Sequence, residues 1–332
     1  MRILVTGGAG YIGAQTARLL AGRGHAVIVL DDLGRGHRAA VGDLPLVVGD
    51  VRDSDLVEEV LTREGIDAVV HFAALKSVEE SVVDPGAYFD NNVGGTVSVL
   101  RAMARADVRR FVFSSTCAVY GSPKVLPVDE EAAVLPLNPY GASKLLSEQT
   151  LPWFESAHGI RSATLRYFNA AGAALDGSAG EDWTDAANLI PVVLQVAAGR
   201  RPALVINGRD LPTPDGSPVR DYIHVLDLAA AHLRALEVLE RGRASLTVNV
   251  GTGRGVSVLE VLDSARRITG QSIPTVVGAP RAGEAPRIWA DTSRARDVLD
   301  WEATHGLDEI ISSAWRWHST HPDGYAATAV ET

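Results

Sequence analysis

In the first half of the chain, short apolar runs rich in β-branched residues occur at 3–6, 26–30, 46–48, 68–72 and 110–115. They alternate with longer stretches at 11–23, 54–63 and 88–105, where apolar side chains recur at helical spacing. A further helix is expected from near Pro139, and a strand at 161–166. Continuous apolar strands separated by helices predict a parallel sheet covered on both faces. After about Phe168 the pattern changes. Irregular stretches rich in Gly, Pro, Asp and Ser occupy 171–186 and 207–220, and helices expected near 188–198, 226–240 and 258–269 are interleaved with only short strands. The predicted organisation is a doubly wound parallel α/β sheet domain over 1–168 and a smaller mixed α/β domain over 169–332. No repeat or polar linker separates the two, so they are expected to pack as one rigid unit.

The 332 residues suffice to bury such a core. The net charge of −10 argues against nucleic acid, whose phosphates are held by clustered Lys and Arg. A small anionic ligand is still accommodated where a few arginines converge. Cys117 is the single cysteine, which rules out an intrachain disulfide and a CxxC-type metal site, and no metal is expected. No apolar run is long enough to span a bilayer, and residues 1–6 read as a strand rather than as a cleavable signal. The expected location is the cytoplasm, away from membranes.

The first strand leads directly into Gly7-Gly8-Ala9-Gly10-Tyr11-Ile12-Gly13, in which Gly7, Gly10 and Gly13 have GxxGxxG spacing and the first helix opens. Glycines there permit a tight turn, a close approach of backbone to pyrophosphate, and helix–strand packing. Asp31 ends the second strand, where a carboxylate accepts ribose hydroxyls and repels a 2′-phosphate, so NAD is favoured over NADP and the sheet reads as Rossmann-type. Gly49-Asp50-Val51 follows the third strand; Asp50 reads either as acceptor for an adenine amino group or as the cap of the helix starting near Asp53. Phe72, Ala73, Ala74 and Lys76 follow the fourth strand, with small residues where a cofactor passes close to backbone.

The most informative segment is Tyr140-Gly141-Ala142-Ser143-Lys144. Residues four apart on a helix lie about 5–6 Å apart on one face, so Tyr140 and Lys144 can address the same ligand. A phenol of ordinary pKa about 10 is a poor base. A neighbouring ammonium and a positive nicotinamide favour the phenolate and turn it into one. Ser114, Ser115 and Thr116 end the fifth strand, at the carboxyl edge where such sheets bind ligands. Thr116 reads as a hydrogen-bond partner of the reacting hydroxyl or as a hydroxyl satisfying local backbone. One of Asn91 and Asn92 is expected to satisfy buried backbone groups beside the cofactor.

With these residues assembled, the chain resembles the UDP-galactose 4-epimerases of the extended short-chain dehydrogenase/reductase superfamily, nearly from end to end. The shared segments include TGGAGYIG from Thr6, HFAALKSVEES from His71, FSSTCAVYG from Phe113, NPYGASK from Asn138, LRYFNAAGA from Leu165, RDYIHV from Arg220 and RAGEAPRIWAD from Arg281. The resemblance implies Tyr140 as base, Lys144 on the nicotinamide ribose, Thr116 in place of the family's catalytic Ser or Thr, and Tyr167 at the nicotinamide end. It places Tyr11, Ile12, Val51, Asn91 and Ser114 with the glycines around NAD. For the UDP-sugar it implies Lys76 and Asn169, with Asn188, Leu189, Val205 and Asn207 toward the nucleotide. Arg220 and Arg281 would hold the diphosphate, beside Glu284 and Ile288. Relatives are often homodimers.

Three departures stand out. Asn207 replaces an aromatic that many relatives set against uracil, the 171–186 loop is shorter than usual, and Ile288 replaces the bulky tyrosine that some relatives carry beside the sugar. The implied reaction is NAD-dependent epimerisation at C4 of UDP-glucose and UDP-galactose, with the N-acetylated pair as a further candidate. A UDP-pentose or UDP-uronate 4-epimerase uses the same Tyr and Lys. A 4,6-dehydratase of this superfamily follows its Thr with Asp-Glu, whereas Cys117 and Ala118 follow Thr116 here. A non-catalytic NAD sensor would need only the glycine turn.

Overall fold

Period and punctuation coincide along most of the chain. The structure, a computed structural model, describes residues 1–184, 186–280 and 285–325. The first part runs β1 (Arg2–Thr6), α1 (Tyr11–Gly22), β2 (Ala26–Asp31), α2 (Arg38–Val41), β3 (Leu46–Val48), α3 (Ser54–Arg63), β4 (Ala68–His71), α4 (Val78–Val83), α5 (Pro85–Tyr88), α6 (Gly95–Arg105), β5 (Arg110–Thr116), α7 (Pro139–His158) and β6 (Arg161–Tyr167). The second runs β7 (Asn169–Ala171), α8 (Leu189–Ala197), β8 (Leu204–Asn207), β9 (Val219–Arg220), β10 (Tyr222–His224), α9 (Val225–Glu240), β11 (Leu246–Val250), β12 (Val256–Ser257), α10 (Val258–Thr269), β13 (Thr275–Gly278), β14 (Arg287–Ile288), α11 (Ser293–Leu299) and α12 (Leu307–Thr320). Asp53 caps α3 and Asn138 caps α7 just ahead of Pro139, while Ser257 and Glu260 form a capping box on α10.

Seven strands form one sheet in the order β11-β6-β5-β4-β1-β2-β3, all pairings parallel. Alternation along each strand serves two cores. Ile3 and Val5 of β1 pack with α1, α9 and α11, whereas Leu4 packs with α3, α6 and Leu151 of α7. Strand order reverses between β1 and β4, so a ligand crevice opens there beyond the carboxyl ends. A third core gathers α8, α10 and α12 around Trp183 and Tyr222. Three small sheets accompany it: β7 with β10, β9 between β12 and β14, and β8 with β13. No described helix is long and apolar enough to cross a membrane.

Two findings differ from the sequence expectation. The helix expected over 88–105 is interrupted by a π segment, Phe89–Gly94. The Asn92 carbonyl there accepts from the Thr96 hydroxyl at 2.7 Å and the Ser147 hydroxyl at 3.2 Å, which compete with the regular helical bond. In addition, the large sheet is not confined to 1–168. β11 completes it by pairing along β6 from Ala163 to Tyr167, which covers an edge that would otherwise expose unpaired backbone.

Candidate active site

At the switch point the backbone approaches itself too closely for side chains. A Cβ on Gly7 would lie 2.4 Å from the Ala73 nitrogen, and one on Gly13 would lie 2.2 Å from the Gly7 oxygen. The turns after β1 and β4 are thereby pressed together, with Phe72, Ala73 and Ala74 beside the glycines. Gly10 is the N-cap of α1 and has no side chain to offer, so the first-turn N–H groups, including those of Tyr11 and Ile12, lack a side-chain cap. Asp31 is buried and accepts from the Ala9 and Leu33 N–H groups, each at 2.9 Å. One oxygen bonds each donor, which leaves further lone pairs for ribose hydroxyls. Burial pushes its carboxyl upward, and the two backbone bonds oppose this. The cradle that a Cβ would fill, the uncapped helix start and this carboxylate together fit a dinucleotide.

Around the cradle, Val51 is buried under Gly95, and the Tyr11 hydroxyl donates to the Gly172 carbonyl at 2.6 Å. Asp50 does not cap α3; Asp53 does, accepting from the Asp55 and Leu56 N–H groups. Asp50 instead chelates the Arg52 guanidinium, which holds its carboxyl below the usual range. Of the two asparagines, Asn92 does the buried work. It accepts from the Leu75 N–H at 2.8 Å and donates to the Leu75 carbonyl and the Ser143 hydroxyl, both at 3.0 Å. The Asn91 side-chain amide donates to the Asn92 side chain at 3.1 Å.

Tyr140 and Lys144 are both buried on α7, beside the ends of β5 and β6. The Thr116 hydroxyl accepts from the Ala118 N–H at 3.1 Å, which bears out the local-backbone reading, and it lies beside the Tyr140 phenol. Lys144 Nζ donates to the Ser114 carbonyl at 2.9 Å and lies 5.0 Å from the centroid of the Phe113 ring. Burial draws its ammonium down to about 8, against the opposing charge of Glu148. The phenol departs from expectation. Burial, then Tyr167, raise its pKa above the ordinary tyrosine value, and only the Thr116 hydroxyl bond pulls it back. Tyr167 ends β6 opposite Thr116, with the Ser114 hydroxyl beside its phenol.

The substrate-side candidates fall into three groups. Arg220 on β9 is in register with Ile288 on β14, and Asn169 on β7 donates its N–H to the adjacent Asp221 carbonyl at 2.9 Å. Ile288 is buried among Val119, Tyr120 and Phe168. Lys76 and Asn188 both donate to Glu181, and Leu189 begins α8 behind Asn188. Val205 and Asn207 lie apart on β8, paired with β13. Arg281 and Glu284 lie outside the described residues.

Sequence reasoning missed three buried charged groups. Asp221, fully buried, gathers the Thr252 N–H and hydroxyl, the Gly253 N–H and the Ala290 N–H, and so fixes the backbone beside Arg220. Glu148 and Arg166 form a buried ion pair at 2.6 Å behind Lys144, joined by the Ser115 and Tyr120 hydroxyls. Glu181 is the third. The spacing of Glu148 four residues after Lys144 was the one available signal.

Over residues 3–251 the chain matches the model of the NAD dependent epimerase/dehydratase family. It is 47% identical over 327 residues to a UDP-glucose 4-epimerase of Lacticaseibacillus casei, covering 98% of this chain and 99% of that one. The value is again 47% over 327 residues for a UDP-glucose 4-epimerase of Streptomyces lividans, covering 98% of each. The crystal structure of UDP-glucose 4-epimerase from Brucella ovis in complex with NAD is similar with a TM-score of 0.92 at 46% identity, over 95% of this chain and 97% of that one. A UDP-glucose 4-epimerase from Stenotrophomonas maltophila, with bound NAD and formylated UDP-arabinopyranose, gives 0.95 at 40%, over 97% and 99%.

Proposed function

The chain belongs to the NAD dependent epimerase/dehydratase family, and on that premise we propose that it interconverts UDP-glucose and UDP-galactose by NAD-dependent epimerisation at C4. The observation that carries this reading is the convergence of Tyr140, Thr116 and Lys144 beside a glycine cradle, in a chain so close over its whole length to UDP-glucose 4-epimerases. Gly7, Gly10, Gly13 and Asp31 would hold NAD, which supplies the acceptor and then the donor for the C4 hydride. Tyr140 takes the proton of the C4 hydroxyl and returns it once the transient 4-keto sugar has turned over. The Thr116 hydroxyl, in reach of that phenol, steadies the reacting oxygen. Burial opposes the phenolate and the Thr116 hydroxyl bond favours it; a cationic nicotinamide ring beside the phenol would favour it further. Arg220 serves the diphosphate as a guanidinium fork. No acid for a dehydratase follows Thr116, and the curated relatives above are named UDP-glucose 4-epimerases rather than pentose or uronate epimerases.

A homodimer in the cytoplasm, serving galactose metabolism, completes the reading. Leu146 and Trp153, seven apart on α7, are exposed on its outer face, a surface suited to a second copy. The buried Ile288 leaves the sugar side without a tyrosine, which suits tolerance of an N-acetyl group. The test is incubation of purified protein with a panel of UDP-sugars without added dinucleotide. Interconversion of UDP-glucose and UDP-galactose, with NAD rather than NADP released on denaturation, is expected. No conversion of either hexose would refute the proposal.

A further inference from the structure

Glu181 lies in the segment between β7 and α8, with its side chain 10% exposed. Its Oε1 accepts from Lys76 Nζ and from Asn188 Nδ2, each at 3.3 Å. From behind, its backbone carbonyl accepts from the Trp317 indole at 2.9 Å, and Trp317 is fully buried. The carboxylate is therefore anchored in the fold, while the Lys76 side chain it holds is 66% exposed. A lysine stem carries about 2 kcal/mol of rotamer entropy, so a fixed partner pre-orders its ammonium.

Asn188 shows the second consequence. Asparagine is among the best N-cap residues, and Asn188 occupies the N-cap of α8 with extended backbone, φ −69° and ψ 149°. Yet its side chain makes no capping bond; the amide donates to Glu181 instead. Pro191, third in α8, has no N–H; the Leu189 and Ile190 N–H groups are thus the first-turn donors not taken up by the cap side chain, and they carry the positive end of the helix dipole. A carboxylate alone would repel a diphosphate, but Lys76 neutralises it.

We propose that Glu181 is a positioning residue for the sugar nucleotide: it fixes the Lys76 ammonium and diverts Asn188 from capping α8, so that both present donors to the UDP moiety. The proposal rests on the UDP-sugar reading above. Its test is UDP titration and UDP-galactose kinetics on the NAD-bound enzyme and on Glu181→Ala, Glu181→Gln, Lys76→Met and the Glu181→Ala/Lys76→Met pair. Glu181→Ala should raise the UDP Kd and the UDP-galactose KM about tenfold, equivalent to about 1.4 kcal/mol, with kcat held within about twofold. Glu181→Gln keeps an acceptor oxygen and should lose only about threefold. Lys76→Met should weaken UDP less in the Glu181→Ala background than in the wild type, because the two act as one unit.

A merely structural role would lower the folded fraction and leave Kd and KM unchanged. An unchanged UDP Kd in Glu181→Ala overturns the proposal, as does an equal Lys76→Met effect in both backgrounds. If Glu181→Ala does not fold, Glu181→Gln with and without Lys76→Met makes the same comparison. Wild-type turnover of UDP-galactose tests the functional reading, while the UDP affinities test Glu181, so either can fail alone.

Discussion

Alanine at Gly13 and, separately, at Gly10 separates the two tasks of the glycine turn. At Gly13 the new Cβ would stand 2.2 Å from the Gly7 oxygen and 2.9 Å from both the Gly7 carbonyl carbon and the Gly8 Cα, all backbone atoms. Cβ contacts below 3.0 Å essentially do not occur, so α1 and the turn must separate by about 0.8 Å. Overpacking costs about 1–3 kcal/mol, and a backbone clash belongs at the upper end. With about 2.1 cal/mol/K of unfolding entropy per residue, 332 residues give about 0.7 kcal/mol/K, so about 3 kcal/mol lowers Tm by about 4 °C. At Gly10 the Cβ meets only the Gly7 oxygen, at 3.3 Å, and φ is an ordinary −79°. The remaining penalty there is alanine at an N-cap, about 1 °C or less. The methyl would nevertheless project on the open side of the turn, where pyrophosphate is expected. Melting of dinucleotide-free protein, with a count of NAD retained through purification, reads both effects. Gly13→Ala should lose stability and NAD; Gly10→Ala should keep its Tm and lose most NAD. Full NAD retention in Gly10→Ala, or an unchanged Tm in Gly13→Ala, would overturn this division of tasks between the two glycines.

Three further outcomes are expected. Burial lowers His71 and His318 to about 3, and His224 and His232 to about 4. Between about pH 4 and 6.5 the unfolded chain binds protons that the folded chain refuses, so this stability is full above 6.5 and is lost as pH falls, by about 1.4 kcal/mol per unit for each. For the four groups together the loss from pH 7 to 5 reaches up to about 8 kcal/mol, so urea unfolding should show a clear fall; a constant value contradicts it. Glu148→Gln leaves the Arg166 charge buried without its partner and should cost about 3–5 kcal/mol in denaturant melts, with Glu148→Leu/Arg166→Met recovering most of it. Equal losses in both variants would remove that account. For substrate breadth, wild type should turn over UDP-N-acetylgalactosamine measurably, and Ile288→Tyr should shift the kcat/KM ratio toward UDP-galactose by about tenfold or more; an unchanged ratio counts against a role for Ile288 in selection.

The strand–turn–helix around Gly7 to Gly13 was legible because its glycines have no structural substitute, and α3 and α10 because apolar period and capping residues agree. Other features were not legible. β11 joins β6 across about 80 residues of intervening chain, which no local period can encode. The π segment depends on the Thr96 and Ser147 hydroxyls reaching the Asn92 carbonyl, a tertiary event. Asp221, Glu148, Arg166 and Glu181 read in sequence like solvated surface charges, since burial of a charge shows only once its partners are assembled. Lys144 was legible as a residue, but the phenol's raised pKa was not, because the burial that causes it depends on the packed fold.

On the proposed mechanism, Tyr140 moves the proton in an epimerisation that needs no added cofactor. The direct measurement compares wild type with Tyr140→Phe, each purified with its bound dinucleotide and given UDP-galactose without added NAD. Loss of a positioned general base lowers rates by about 10²–10⁴-fold. Wild type is expected to form UDP-glucose, and Tyr140→Phe to show a fall of that size in kcat, with NAD content and UDP affinity unchanged. Near-normal turnover by Tyr140→Phe would contradict it.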